Sequence, residues 1–343
     1  MMRCCAQQGV AAHVAHAAVS GARCFGRARR NPWKKYMTRG SVSVKERRAG
    51  ATPAALLLRP AIFTGTVCLG TFAFAGIAID ERRAAQQTSW EAARRSELMD
   101  PPDYRYGQSA IHALQRKLQT LGPIIATNAA VYLAWLRSAG HGGVEAASPV
   151  LRQFFLHYPL SGRALPLLLC TFSHATLMHF GFNMFALWSF GGMMLNHLPS
   201  EQFIATYLSA GVITSFGSLC ISVLRRSSMP SLGASGAVLT LAAMTAAAEP
   251  NLNFALIFFP WLAFPAKTML AGIVALDMTG LVLRWGFFDH AAHLTGSIFG
   301  YCGLGSASSR SERGLLMSGI EQYQGWICRQ VRQFKANNLH PLD

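Results

Sequence analysis

Charge is what this chain has least of. Asp and Glu together number 15 in 343 residues, and charged side chains of both signs make up only 13%. Soluble domains average about 25% charged residues, so an ordinary water-facing globule is excluded. Cysteine pairs at metal or redox spacing are also missing: eight cysteines are present and none form C-x-x-C, so they read as small buried thiols. No H-E-x-x-H, internal repeat or low-complexity tract occurs. What abounds is apolar surface, at 51% of residues.

That apolar content is gathered into runs near the roughly 20 residues that a membrane-spanning helix needs. Pro60–Ile79 is the first and Leu118–Leu136 the second. From Ala164 to Ser200 no charged residue other than histidine occurs, enough for a span and an apolar approach to it. Gln202–Leu224, Ser235–Ala248, Lys267–Leu283 (interrupted by Asp277) and His290–Ala307 follow, giving seven candidates. The proline-punctuated stretch Leu252–Pro265 reads as a loop or re-entrant segment. Seven spans predict an all-α fold, a polytopic helical bundle with the lipid bilayer as its solvent.

The net charge of +16 is concentrated at one end. Residues 1–59 hold twelve Lys/Arg and a single acid, Glu46. Basic, acid-poor and Ala/Ser-containing is the composition of a mitochondrial targeting sequence. Nucleic acid is not an expected partner, because no aromatic interleaving, finger spacing or recognition-helix pattern accompanies the charge. The expected order is therefore a targeting and basic tail (1–59), an isolated span (60–79), a polar linker (80–117), a bundle (118–307) and a polar tail (308–343). The linker is expected to be partly helical around Trp90–Leu98 and to break at Pro101-Pro102. In the tail, Ile320, Tyr323, Ile327 and Val331 share one face of a possible helix over Gly319–Lys335. Basic residues on one side of the first span orient it by the positive-inside tendency.

Within the bundle, Gly233-Ala234-Ser235-Gly236-Ala237 opens a charge-free run of only 14 residues before Glu249-Pro250. At about 1.5 Å per residue that is roughly 21 Å, short of a hydrocarbon core of about 30 Å. One end is then expected to stop inside the membrane, where Gly233 and Gly236 permit a tight turn. The unpaired N–H groups of a helix start would receive an oxyanion where the Ser235 hydroxyl is presented. Irregular backbone at that depth implies local water, which hydrolysis requires. His293 lies in the last apolar run, followed by Gly296 and Gly300 in a G-x-x-x-G that lets helices approach closely. A serine and a histidine on separate apolar helices suggest a nucleophile and its general base. Taken alone, each has a bland reading as a helix-packing residue.

His174, His179 and Asn183 form H-x4-H-x3-N at the start of another run. His179 and Asn183 are four apart and share a helix face. Both donate hydrogen bonds without requiring a charge, which suits an oxyanion; a polar bundle interior is the alternative. A metal site is disfavoured, since no Glu lies near these histidines, and no cofactor is expected.

H-x4-H-x3-N, G-A-S-G-A and A-H-x-x-G, in that order on separate apolar helices, resemble the rhomboid intramembrane serine proteases across roughly residues 118–307. The texture of Asn183–Phe190 and Phe287–His293 is similar to the mitochondrial branch of that family. The resemblance implies a six-helix core preceded by one extra span, matching Pro60–Ile79. It also implies a Ser–His dyad without an acidic third member: Ser235 as nucleophile, and His293 as base and then acid. His179, Asn183 and the Ser235 N–H would form the oxyanion hole, and His174 would order the wet loop above it. The implied reaction is cleavage, through an acyl-enzyme, in or near the transmembrane segment of single-span proteins of the mitochondrial inner membrane, among them a dynamin-like GTPase. Two departures stand out. Many bacterial members carry a Tyr one turn after the serine, against the histidine, where this chain has Leu239. Their first-loop Trp-Arg pair is absent from Phe154–Pro159.

Asp277, mid-span between Leu276 and Met278, is a functional candidate by position. A second acid in G-x-G-D context, which an aspartyl intramembrane protease needs, does not occur, so a buried structural partner is the preferred reading. His290, three before His293, reads as a helix-end residue that tunes the site at most. Two alternatives remain: a catalytically silent rhomboid-like protein that binds or escorts membrane clients, and a transporter or channel. The second would show matching repeated halves, which are absent.

Overall fold

The computed structural model describes residues 52–95, 102–139, 147–256, 259–286, 288–304 and 315–338. The targeting segment expected over residues 1–59 lies outside the described residues up to residue 51. Ten helices and one two-stranded hairpin make up the described chain.

Helix α1 runs Pro53–Arg95 and α2 runs Pro102–Ala139. The Thr52 hydroxyl accepts from the Ala55 N–H at 3.3 Å, and Pro53 needs no donor in the first turn. The helix therefore begins seven residues before the apolar run does, and Pro60 is absorbed inside it. At the other end α1 continues straight through the polar stretch expected to be only partly helical. Asp80-Glu81-Arg82-Arg83-Ala84-Ala85-Gln86-Gln87 is rich in straight-chain and alanine residues, which favour helix wherever they are solvated. The break expected at Pro101-Pro102 falls at the edge of the described residues, where Pro102 opens α2.

Short helices α3 (Pro149–Phe154) and α4 (Pro166–Leu169) and two 3-10 turns carry the chain across the end of the core. Then come α5 (Leu177–Met194), α6 (Ser200–Leu224) and α7 (Ser235–Ala248). Helix α7 is apolar all round and buried along most of its length, as a central helix must be. Ala237, Val238, Leu241 and Met244 from α7 join Leu187 of α5, Phe203 and Tyr207 of α6 and Leu121 of α2 in the main core.

Where a loop or re-entrant segment was expected at 252–265, the structure has strands β1 (Asn253–Leu256) and β2 (Phe259–Pro265), antiparallel with Phe254 opposite Phe264. Prolines at the start and end of β2 are tolerated because a two-stranded ribbon is all edge. Helix α8 (Ala266–Val282), α9 (His290–Ile298) with a π-helical continuation over Phe299–Leu304, and α10 (Leu315–Asn338) complete the chain. Among the described residues, each of the seven apolar runs contains helix. Two stretches among the described residues, Pro53–Gln87 and Ser200–Leu224, are long and apolar enough to cross a bilayer by themselves, and Ser235–Ala248 is a shorter apolar helix.

Candidate active site

The loop before α7 decides where Ser235 stands. Gly233 takes φ of 125°, a conformation that side chains rarely adopt, and its N–H donates to the Cys170 carbonyl at 2.9 Å. Ser235 is the first residue of α7, so its own N–H belongs to the helix start and lacks an intrahelical acceptor. A Cβ on Gly233 would lie 2.8 Å from Cε1 and 2.9 Å from Nε2 of His179, and 3.9 Å from Ser235 Oγ. The absent side chain therefore lets the imidazole of α5 close on the serine turn.

Helices α7 and α9 meet backbone to backbone. A Cβ on Gly296 would strike the carbonyl oxygen of Gly236, and one on Gly300 would strike the Thr240 carbonyl and come within 2.9 Å of Ala243 Cβ. Gly236 itself faces Thr214 of α6, whose Cβ would lie 2.7 Å from an added methyl. This approach brings His293 Nε2 to 2.8 Å from Ser235 Oγ.

Asp277 of α8 lies on the far side of that ring. It is 2% exposed, and its Oδ1 is 3.1 Å from His293 Nδ1 and 2.6 Å from His290 Nδ1. An ionised carboxylate only accepts, so both Nδ1 atoms carry the proton and His293 Nε2 is left as the acceptor of the Ser235 O–H. The family resemblance implies no acidic member; the structure places one against His293. The position of Leu239, where a tyrosine would have steadied the imidazole, leaves that task to α8 and α9.

Asp277, His290 and His293 are also the only described group whose ligand atoms converge as metal ligands would, within 4.8 Å of one another. Two ligands at about 2.1 Å around a tetrahedral ion stand roughly 3.4 Å apart. The contacts here, 2.6 and 3.1 Å, are hydrogen-bond lengths.

His174, His179 and Asn183 are brought together only in part. The Thr176 hydroxyl caps α5 by accepting from the His179 N–H at 3.1 Å, and the His174 and His179 rings meet edge-on at 5.0 Å. His174 is 2% exposed, and its ring also meets Phe180 edge-on. Asn183 is buried and spends one amide hydrogen on the His179 carbonyl of its own helix, at 2.8 Å.

Asp289 has no role assigned from the sequence motifs. It caps α9 through the Ala292 N–H at 3.1 Å. Its carboxylate also accepts from Ser218 of α6, at 2.8 and 2.7 Å, and from Ser231 of the loop before α7, at 2.5 Å. One side chain thus ties the helix that carries His293 to the loop that leads into Ser235. An aspartate three residues ahead of the capped N–H is the signal that would have found it.

Residues 161–306 match the Rhomboid domain family model. That stretch of the chain is therefore similar to a Rhomboid domain. It is 43% identical over 183 residues to the presenilin-associated rhomboid-like protein, mitochondrial, of Mus musculus, an alignment covering 53% of this chain and 47% of the relative. The Homo sapiens protein of the same name is 42% identical over 183 residues (53% and 46%), and rhomboid protein 1, mitochondrial, of Saccharomyces cerevisiae 39% over 136 residues (38% of each). The alignments span about half the length of the first two relatives.

Proposed function

We propose that this chain is a serine endopeptidase working inside the mitochondrial inner membrane, cutting single-span proteins in or near their transmembrane segments. The observation that carries the reading is the 2.8 Å approach of His293 Nε2 to Ser235 Oγ from two separate apolar helices. In the proposed topology α1 is the extra span and α2, α5, α6, α7, α8 and α9 the six-helix core. The polar stretch at 80–117 and the tail beyond 308 lie outside the bilayer. The similarity to mitochondrial rhomboid-like proteins supports the compartment.

The chemistry follows from the placement of protons. His293 Nε2 takes the Ser235 proton as Oγ attacks the scissile carbonyl. The oxyanion forms at the start of α7, within reach of the Ser235 N–H and of His179, with the remaining Asn183 amide hydrogen directed to the same charge. His293 then gives its proton to the leaving amine, and water releases the acyl group from Ser235. His174 packs behind His179 and holds its ring. Candidate substrates are single-span inner-membrane proteins, a dynamin-like GTPase among those to be tried first.

The test is cleavage of a single-span reporter in proteoliposomes by the wild type and by Ser235→Ala. Cleavage is expected from the wild type alone, with both proteins melting at the same temperature. Undiminished cleavage by the variant would refute the nucleophile assignment. Binding of the reporter without cleavage by either protein would establish the client-escort alternative.

A further inference from the structure

The hairpin between α7 and α8 has a composition that a water-facing ribbon tolerates poorly. From Pro250 to Ala266 the chain holds no ionisable side chain, while Glu249 and Lys267 stand at either end. Strand edges that face water are normally guarded by charge, and β1 and β2 carry none. Trp261 and Ala263 share the outer face of the ribbon with Ala255, which pairs with Ala263. All three are exposed, Trp261 by 78%.

The inner face is seated. Phe254 packs on the cluster of Ala243, Ala246, Ala266 and Leu270, and its ring centroid lies 5.0 Å from that of Phe190 near the end of α5. The Ala266 N–H donates to the Leu252 carbonyl at 2.8 Å, and the Lys267 N–H to the Pro250 carbonyl at 3.2 Å. These bonds clasp the base of the ribbon to α7 and α8.

Two limits fix the depth at which such a ribbon can lie. Among the described residues it has two strands only, so neither outer edge has a neighbouring strand. Open sheet edges do not occur in the hydrocarbon core, where nothing replaces their hydrogen bonds. An exposed apolar face carrying a tryptophan is equally unsuited to bulk water and is at home at the headgroup level. The ribbon leaves the end of α7 remote from Ser235, roughly 21 Å along that helix. At the same end His197 and Glu249, both partly open to solvent and 3.6 Å apart, mark a polar level.

We propose that this hairpin is an in-plane membrane anchor, seated at the headgroup boundary of the leaflet remote from Ser235, with Trp261 toward the acyl chains. The inference rests on the membrane topology of the proposed function. Its occupant is the lipid surface, because the base of the ribbon is fixed to the ends of two proposed spans and so lies at the height of that leaflet. Lys267 can extend its ammonium from there to the lipid phosphates. Anchored in this way, the hairpin holds the end of α7 at one depth and, through the helix, sets the depth of the Ser235 hydroxyl.

The test places the full chain in phosphatidylcholine vesicles whose acyl chains are brominated either next to the headgroup or near the chain end. Subtracting the emission of Trp261→Phe from that of the wild type isolates Trp261 from the other tryptophans, with melting temperatures recorded for both. Headgroup-side bromine should remove at least about half of that difference emission, chain-end bromine less, and aqueous iodide little. Strong quenching by iodide with none by bromine would place the ribbon in water and overturn the proposal. Protection from iodide that vanishes on dilution into excess lipid would mean that a second copy covers the ribbon, which overturns it equally. If no tryptophan of the protein responds to bromine at any depth, the spanning topology itself fails. If the others respond and Trp261 does not, only the anchor fails.

Trp261→Asp reads the consequence for cleavage. In bilayers it should slow reporter cleavage by about 3- to 10-fold, and in detergent micelles, which fix no plane, it should match the wild type. Equal loss in both media would trace to a packing lesion and remove the depth-setting role. The quenching measurement needs no cleavage, so it decides the anchor even where the protease reading fails.

Discussion

His157 shows how much a single side chain outside the apolar helices can decide. Its backbone N–H and carbonyl pair with Ser231 at 3.1 and 2.9 Å, tying the loop after α3 to the loop that leads to Ser235. The ring is 1% exposed, and burial lowers its pKa from 6.5 to about 4, with Asp289 opposing the shift. The folded state thus disfavours a proton that the unfolded chain binds readily. The contribution to stability is complete above about pH 6.5 and is lost as pH falls from there toward 4; it amounts to at most on the order of 3 kcal/mol. Melting temperature in detergent should fall over that window, and His157→Gln should flatten part of the fall. An identical pH dependence in the variant would assign the slope to other groups. At this scale Ser235 and His293 were legible because a strongly apolar run rarely holds either residue without a reason. The partnership of Asp277 with both histidines was not legible, since it depends on how α8 is rotated about its own axis.

Between elements, the controlling surface is the one α7 presents to α9. Gly296 and Gly300 are backbone-to-backbone contacts, so a methyl group at either site has a carbonyl oxygen rather than a flexible side chain in its way. Gly300→Ala should lower the melting temperature and reduce cleavage by more than 10-fold together, because the same approach sets the distance from His293 to Ser235. Gly272, also helical, has open space where its Cβ would lie. Gly272→Ala should leave activity intact and raise stability by up to about 1 kcal/mol. Equal gains in stability from both changes would mean that helix propensity, not interhelical contact, governs these positions. The G-x-x-x-G spacing announced such a surface without naming its partner. The hairpin between α7 and α8 was hidden for another reason: a short apolar run broken by prolines has no period long enough to tell strand from loop.

Across the whole molecule, α10 returns to pack on α1 from more than 200 residues away in sequence. The Gln324 amide donates to the Phe72 carbonyl at 2.8 Å and to the Gln202 side chain at 2.9 Å, and Ile320 packs against Phe72, Ala75 and Ala205. Beyond them Arg332 faces Asp80 at 3.5 Å and Lys335 faces Glu81 at 2.8 Å. These exposed ion pairs contribute little, roughly 0–1 kcal/mol each, so close packing is what seats the helix. A Cβ on Gly76 would lie 2.9 Å from Gln324 Cβ. Gly76→Leu should therefore lift α10 and expose Cys328, which is 8% exposed when docked. Maleimide labelling of Cys328, read by mass spectrometry, should accelerate at least 10-fold in Gly76→Leu and stay near wild type in Lys335→Ala. Slow labelling in both would show that α10 is held elsewhere.

The sequence by itself determined where helices form, since runs of apolar residues, caps and prolines act within a few residues of one another. It also singled out Ser235 and His293, because their chemistry conflicts with their surroundings. What only the tertiary structure decided was which faces meet: Asp277 and His290 behind His293, Asp289 joining three elements, and α10 closing on α1. Those choices turn on helix rotation and on close approach between segments far apart in the chain. No local pattern encodes such quantities, because they emerge only when all the helices compete for the same interior.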